Sequence, residues 1–511
     1  MENRAYIPFQ EIDNIPQLIK DFLDKKIEGF QEQSFSLENF QTLMKCKKDS
    51  FSMENRETLH SVLVRQLGNL QLSDKQKENL DLMQKTNTFT ITTGHQLNLF
   101  TGPVFFVYKI LQTIKTAHFL KEKFPESNFV PIFWLATEDH DFEEINHFKT
   151  TQNYYEMNAK KGGAVGRIEI EDTFFTHQFE RDFIDSVYGT ELVRWIKEAY
   201  QEGHNLATAT KILVNRLFSD YGLLMIDGDD ETLKTAMKPI FRDELLNQKF
   251  YAETKNKVSF LQEKYGKVQV NPREVNLFYL SETRDRIERN GEDFSLVDRK
   301  QVFTQSEILE ELENYPQKFS PNALMRPVYQ EKVLPNLAYI GGNAEIMYWL
   351  ELKDYFAYLD LGFPVLIPRN SMLYITEKTF GKVKKLNLEI NDFFKNFAEV
   401  VKRNLLENNS LSSLINEKEN QLLEMFSELK NQSEKTEQSF RNLVEAEETR
   451  QRKSFEKMRK RLLRAEKIKQ NEKLERLETL FLEIHPAKNW QERVLNFSVF
   501  YSDFGRDWLR N

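Results

Sequence analysis

From residue 382 to residue 485 the sequence contains neither glycine nor proline, and Gly381 and Pro486 bound the stretch. Glu, Lys, Leu, Arg and Gln dominate it, all strong helix formers. Apolar side chains recur at three- and four-residue steps, at Phe455, Met458 and Leu462 and again at Leu474, Leu477, Phe481 and Ile484. This spacing predicts a long α-helical coiled coil over 381–485. Polar turns at Asn408-Asn409-Ser410 or Asn431-Gln432-Ser433 are the expected breaks that fold it into antiparallel helices. A coiled coil of this length serves association or spacing, and the expected association is a homodimer.

Before it, from about residue 85 to 380, short apolar runs alternate with helical patterns. That is the rhythm of βα units and predicts an α/β fold with a parallel sheet. Five strands are expected: Phe89–Thr92, Val130–Ala136, Gly222–Asp227, Leu337–Ile340 and Val365–Ile367. A chain of 511 residues exceeds one ordinary compact domain. The expected division is core at 1–150, a first insertion at 151–205, core at 206–235, and a second insertion at 236–322. Core resumes at 323–380, the coiled coil follows at 381–485, and 486–511 return to the core. The insertions exceed a simple crossover and are read as lids or accessory domains.

The formal charge is −8 and the pI about 5.8, with no basic stripe outside the mixed-charge C-terminal helices. Neither nucleic acid nor an anionic membrane is the expected partner. A single cysteine, Cys46, excludes an intrachain disulfide framework and fits a reducing compartment. Lysines at 45, 47 and 48 flank it; it is read either as an activated thiol or, more simply, as an incidental one. The N-terminus lacks an apolar leader, and no apolar run of membrane-spanning length exists, so the expected compartment is the cytoplasm.

Each expected strand ends in chemically pointed residues: Thr93-Gly94-His95-Gln96, Glu138-Asp139-His140-Asp141, Asp227-Gly228-Asp229-Asp230, Gly341-Gly342-Asn343 and Pro368-Arg369-Asn370-Ser371. Ligands bind beyond the carboxyl ends of parallel strands, so these ends point to one shared cleft. In the first, Gly94 lets backbone approach a ligand at an expected strand–helix junction, and His95 and Gln96 offer donors to a phosphate or carboxylate. The run from Glu138 to His147 packs five carboxylates and two histidines into ten residues. It reads as an acid/base or substrate site, as a metal site, or as acids capping a helix that begins near Phe142. No HExxH or CxxC accompanies it, so no metal is assigned. Gly341-Gly342 with Glu345 in the next helical turn is either a ligand cradle or a tight turn. Arg326 and Arg369 offer donor forks to carboxylate or phosphate.

These residues resemble a known family. The run Thr93–Gln96 with Leu99–Pro103, the run Phe133–Asn146, Leu324–Pro327, Tyr339–Gly342 with Glu345, Pro368-Arg369 and Gln491–Arg493 occur in the order found in the bacillithiol-biosynthesis cysteine-adding BshC family. The resemblance implies a Rossmann-like core with connective-peptide insertions and a dimerising coiled coil. It implies ligation of L-cysteine to glucosaminyl malate, the last step to bacillithiol. The fold it implies is similar to class I aminoacyl-tRNA synthetases, whose first signature reads His-x-Gly-His. Here Thr92 stands for its first histidine, while Gly94 and His95 remain. The lysine-rich second signature is not evident, because Pro368–Ser371 holds the comparable position without a lysine pair.

Amide formation from a free carboxylate needs activation, so ATP is the expected co-substrate. The expected catalytic residues are His95, Asp139, His140 and Asp141. Those expected to bind substrate or nucleotide are Thr93, Gly94, Gln96, Asn98, Glu138, Arg326, Gly341, Gly342, Glu345, Arg369 and Ser371. In this scheme His95 and Gln96 hold phosphates. Asp139, His140 or Asp141 meets the cysteine ammonium or deprotonates the amine, and Arg326 and Arg369 hold the malate carboxylates. Two alternatives stand beside it: a nucleotide-binding dimeric scaffold, and a metal-dependent hydrolase built on Glu138–His147.

Overall fold

A computed structural model describes residues 4–160, 162–266, 270–297, 299 and 301–510. Residues 1–3, where the leader reading begins, lie outside the described residues. Two compact units result: Pro16–Met372 with Glu492–Asn511, and Met1–Ile15 with Leu373–Gln491.

The first unit is built on five parallel strands: β1 (Thr88–His95), β2 (Asn128–Leu135), β5 (Leu224–Asp227), β11 (Asn336–Gly341) and β12 (Val365–Pro368). Their order is β12-β11-β1-β2-β5. All five expected strands exist, and most of their residues are buried, as a sheet covered on both faces requires. Ile91, Leu337, Ala338, Ile340 and Val365 share one cluster with Ala117 and Leu120 of the helix Phe105–Lys123, which connects β1 to β2. The chain runs outward from β1 through β2 to β5, then returns to β1's other side with β11 and β12. Strand order therefore reverses between β1 and β11, where an open parallel sheet leaves a crevice at its carboxyl edge.

One buried polar network joins β1 to β11 and the helix before it. Thr90 and Thr92 of β1 donate to Asn336 Oδ1 at 3.2 and 2.8 Å, Asn336 Nδ2 donates to Glu331 at 2.6 Å, and Lys47 pairs with Glu331 at 3.2 Å. Lys47 is thus buried in an ion pair with Glu331, whereas Cys46 is exposed.

The two insertions take different forms. The first opens with the hairpin β3 (His147–Lys149) and β4 (Tyr154–Glu156) and continues into the helices Phe174–Phe183 and Gly189–Ala199. The second carries an antiparallel sheet of β6 (Leu277–Leu280), β7 (Arg284–Asn290), β8 (Asp293–Leu296), β9 (Val302–Phe303) and β10 (Phe319–Pro321), ordered β10-β6-β7-β8-β9.

The second unit is helical. The first expected break occurs, because Phe397–Leu406 ends short of Asn408 and Ser410–Ser433 starts behind an Asn409 cap; Asn431-Gln432-Ser433 is the end of that helix, and the second turn falls just after it, at 434–437, before Gln438–Lys469. Two ion pairs join the long helices, Glu419–Arg459 and Lys430–Glu448. One member moves forward by eleven residues while the other moves back by eleven, so the helices are antiparallel. Asn471–Ile484 adds Leu477, Leu480, Phe481 and Ile484 to a core shared with Val383, Val400, Val401 and Leu405. The unit also holds the N-terminal residues through Ile15, which the sequence reading put in the 1–150 core. Polar pairing places them: Asp13 N donates to Phe394 O at 3.0 Å, and Asp13 Oδ2 accepts from Asn396 N at 2.9 Å.

Candidate active site

A cavity of about 330 Å³ opens at the crevice between β1 and β11. Gly94, His95 and Gln96 from the end of β1, Trp134–Asp139 from the end of β2, and Tyr339, Glu345 and Tyr348 from β11 and its helix line it. Arg284, Pro321, Asn322 and Ala323 of the second insertion, with Arg326, close the other side.

The expected junction at Gly94-His95 is instead strand. β1 runs through His95, and the helix Phe105–Lys123 begins ten residues later, after a turn at Leu99–Thr101. Backbone pairing with β2 carries the strand on, because Gly94 faces Trp134 and His95 faces Leu135. The phosphate site expected at that helix N-terminus therefore does not form around Gly94.

His95 is neutral. Burial, reinforced by the Lys109 charge, pushes its imidazole down to about 3. The ring lies edge-on to Phe105 and Phe106, and its buried Nε2 has no hydrogen-bond partner among the described residues. Beside it, Lys109 Nζ donates to Gly94 O at 2.6 Å and to both Glu345 oxygens at 2.8 and 2.9 Å. Glu345 also accepts from Tyr339 OH at 2.5 Å and from Gly342 N at 3.1 Å. Burial alone would raise the Glu345 carboxyl, but Lys109 and these bonds hold it at about 2. Glu345 thus joins β1 to the turn after β11, and its helix's first turn is capped by its own side chain.

The β2 end separates four adjacent residues. Glu138 turns inward to a buried ion pair with Lys234. Burial, only partly offset by Lys234, raises its carboxyl above the usual range. Burial likewise opposes charge on Asp139. Bonds from His140 and from Gln96 Nε2, at 2.8 Å, together with the Arg284 charge outweigh it, so Asp139 is held well below the usual range. His140 is exposed and outside the cavity, its Nδ1 accepting from Arg284 Nη1 at 3.3 Å. Asp141 caps the short helix Phe142–Ile145 by accepting from Glu144 N at 3.3 Å. The capping reading holds for Asp141, and neither Asp141 nor His140 lines the cavity. The first insertion fixes this segment: Val165 N and Gly166 N donate to Asp139 O and Thr137 O at 2.7 and 2.9 Å. A Cβ on Gly166 would lie 2.6 Å from Thr137 Cβ, so that approach requires glycine.

Two cations face the cavity from its other side. Arg326 lies over the Tyr339 ring at 5.4 Å and donates to Gln330 at 3.0 Å. Arg284, the first residue of β7, stacks on Phe278 at 4.2 Å; its Nε donates to Ser320 Oγ at 3.1 Å and its Nη2 to Pro321 O at 2.8 Å.

Of the expected residues, Gly94, His95, Gln96, Glu138, Asp139, Arg326 and Glu345 meet in the cavity. Thr93, Asn98, Gly341, Gly342, Arg369 and Ser371, like His140 and Asp141, lie outside its lining. Thr93 Oγ1 donates to Ile340 O at 2.8 Å, stitching β1 to β11, and Asn98 is buried against Gly102. Gly341 is the last β11 residue and Gly342 caps the helix Asn343–Leu350, the tight-turn alternative. Arg369 makes a buried two-pronged ion pair with Glu492 at 2.7 and 2.9 Å, so its fork is occupied by protein. Ser371 follows β12 without reaching the cavity. Among the described residues no three His, Cys, Asp or Glu converge on a metal-sized site, because the Glu138–His147 side chains turn to separate partners. Sequence reasoning missed Lys109, Arg284, Lys234, Tyr339 and Tyr348. Only Tyr339 and Tyr348 sat in a stretch already singled out. No helix among the described residues is long and apolar enough to cross a membrane.

Comparison with known proteins divides the chain once, near residue 371, whereas the two compact units exchange residues 1–15 and 492–511. Residues 3–370 match the family described as "Bacillithiol biosynthesis BshC, N-terminal Rossmann-like domain", and residues 372–511 match "Bacillithiol biosynthesis BshC, C-terminal coiled-coil domain". A Flavobacterium johnsoniae protein named "Putative cysteine ligase BshC" is 41% identical over 503 residues, covering 98% of this chain and 95% of that protein. Proteins of the same name from Flavobacterium psychrophilum and Christiangramia forsetii are 39% and 38% identical, each over 98% of this chain and 95% of their own. With both of its parts matched and relatives similar along nearly its whole length, the chain belongs to the bacillithiol-biosynthesis BshC family.

Proposed function

We propose that this chain is an ATP-dependent cysteine ligase that joins the carboxylate of L-cysteine to the amine of glucosaminyl malate in the last step of bacillithiol formation. The observation that carries the reading is the cavity's division of charge. Asp139 stays ionised on the β2 side, and the Arg326 guanidinium stands across from it. Such a site suits a zwitterionic amino acid together with an anionic acceptor.

Asp139 is the residue for the cysteine ammonium, because a carboxyl held so acidic is a poor proton acceptor at neutral pH. The amine proton goes instead to Glu138, whose burial makes it the more basic cavity carboxylate. His95, neutral and with Nε2 unpartnered, supplies a hydrogen bond to the activated carboxyl or to phosphate without adding charge. Gln96, whose amide nitrogen is committed to Asp139 and Glu144, orients Asp139. Activation of the cysteine carboxylate by ATP leaves a better leaving group on the acyl carbon; the sugar nitrogen attacks, the amide bond forms, and that group departs.

The test is product formation from cysteine, glucosaminyl malate and ATP by the purified chain. His95→Ala is expected to lose at least about 100-fold in kcat/KM, the scale of a single preorganised donor. Full activity in His95→Ala would overturn the assignment.

A further inference from the structure

Among the described residues, three cations near the cleft are matched. Lys109 pairs with Glu345, Lys234 with Glu138 and Arg369 with Glu492. Arg284 and Arg326 have no carboxylate within ion-pair distance among the described residues, and both line the cavity. Their visible partners are neutral. Arg284 is held by Ser320 Oγ, the Pro321 carbonyl, His140 Nδ1 and the Phe278 ring. Arg326 is held by Gln330, by the Tyr339 hydroxyl, which accepts from Nη2 at 3.4 Å, by Tyr348 and by the Tyr339 ring.

A guanidinium has five N–H donors in a rigid fork. The contacts above leave donors of both forks uncommitted. Part-buried charge without a counter-charge is costly, and a ligand that supplies the counter-charge removes that cost. The nearest carboxylates supply it only in part: the Arg284 charge acts on Asp139 beyond ion-pair distance, but Asp139 accepts from Gln96 and His140, and Glu138 is taken by Lys234. Neutral anchors at Ser320 and Pro321 fix the Arg284 fork in place without quenching it.

We propose that Arg284, a residue of the inserted sheet, determines specificity in this cleft by forming with Arg326 a two-guanidinium clamp for a ligand bearing two anionic groups. This deepens the ligase reading and rests on it for the identity of the cleft. Arg284 takes the place in the scheme that Arg369 vacates. The shared chemistry is two anionic groups on one small ligand, either the dicarboxylate end of the acceptor or adjacent phosphates of the nucleotide. The second insertion is then part of the binding site itself: β6, β7 and β10 exist at this edge to present one guanidinium.

Isothermal titration of the full-length chain with L-malate, inorganic pyrophosphate and L-lactate tests it without any turnover. At least one dianionic probe is expected to bind about 30-fold or more tighter than lactate, the scale of one added charge-assisted contact. Malate as that probe places the acceptor in the clamp, and pyrophosphate places the nucleotide there; either supports the clamp. Arg284→Gln and Arg326→Gln are each expected to weaken the dianion by about 10- to 100-fold and to collapse its advantage over lactate to about threefold. Arg284→Lys, which keeps charge but loses the fork, is expected to fall between. A purely structural Arg284 would weaken dianion and lactate alike and leave the ratio unchanged, which would overturn the proposal. Wild-type dianion affinity in Arg284→Gln, or no dianion binding by the wild type, would overturn it too. Arg326→Gln lies outside the inserted sheet and guards against a folding defect in the Arg284 variants. A chain that binds the dianion through both arginines yet makes no product keeps the clamp and loses the ligase reading.

Discussion

His95 carries a proton-linked cost that can be measured. An unfolded imidazole titrates near 6.5, and in the fold it titrates near 3. The unfolded chain therefore binds the proton first, and the stability present above pH 6.5 is lost as pH falls through 6.5 toward 3. His95→Asn should remove this loss, so its unfolding midpoint should fall less than wild type between pH 6.5 and 4.5. Asp227 and Glu244, raised by burial to about 6 and about 7, titrate in the same window with the opposite sign; comparing the two proteins cancels them. Glu345 contributes lower down: its stability is present above 4.5 and fades as pH falls through about 2. The Lys109–Glu345 pair should behave as a unit. Lys109→Met leaves a carboxylate without its partner and should cost about 3–5 kcal/mol in chemical denaturation. The double variant Lys109→Met, Glu345→Leu should recover part of that loss.

At the level of elements, the two long helices Ser410–Ser433 and Gln438–Lys469 bury little between them: Phe426 and Val444 are their fully buried apolar side chains. Met425 and Leu429 sit one turn apart and stay 47% and 44% exposed, and Phe440 and Leu443 stay 48% and 59% exposed. Exposed apolar stripes of this kind mark association surfaces. Sedimentation equilibrium should give a dimer for wild type and a monomer for Met425→Glu, Leu429→Glu. These helices and the parallel strands were legible because hydrophobic period and the absence of Gly and Pro report directly on local geometry. What the period could not show was depth. Thr93 and Gly341 looked like ligand-facing loop residues because a polar or glycine residue after an apolar run reads as a turn; both belong to strands, Thr93 bonded across β1 and β11 and Gly341, the last β11 residue, paired with Pro368 of β12. Lys109 was hidden inside an ordinary amphipathic pattern. Arg284 was hidden inside an insertion, because only three-dimensional closure brings β7 to the β2 end.

Across the whole molecule, the packing around His95 depends on a segment that arrives last. Glu492 accepts from Arg369 and from Met372 N, and Arg369 and Arg493 both lie over Phe105, at 5.1 and 5.9 Å, the ring that packs on His95. Glu492→Ala strands a buried guanidinium and should cost about 3–5 kcal/mol in chemical denaturation. The sequence showed Gln491–Arg493 only as part of a family pattern; its work is visible only where the chain returns.

Asn496 Nδ2 donates to Phe100 O and Gly102 O at 2.8 and 2.6 Å, across nearly 400 residues of sequence. Phe100 and Thr101 hold left-handed backbone angles there, φ 46° and 67°, a conformation that costs energy and needs surrounding bonds to persist. Synthesis runs from the N-terminus, so every strand of the sheet leaves the ribosome before the residue that braces this turn. Leu373–Gln491 of the helical unit are made in between. A nascent chain stalled after Gln491 thus carries the complete sheet sequence with its turn unbraced. It should be cut by protease around Phe100, and release of the finished chain should abolish that cleavage.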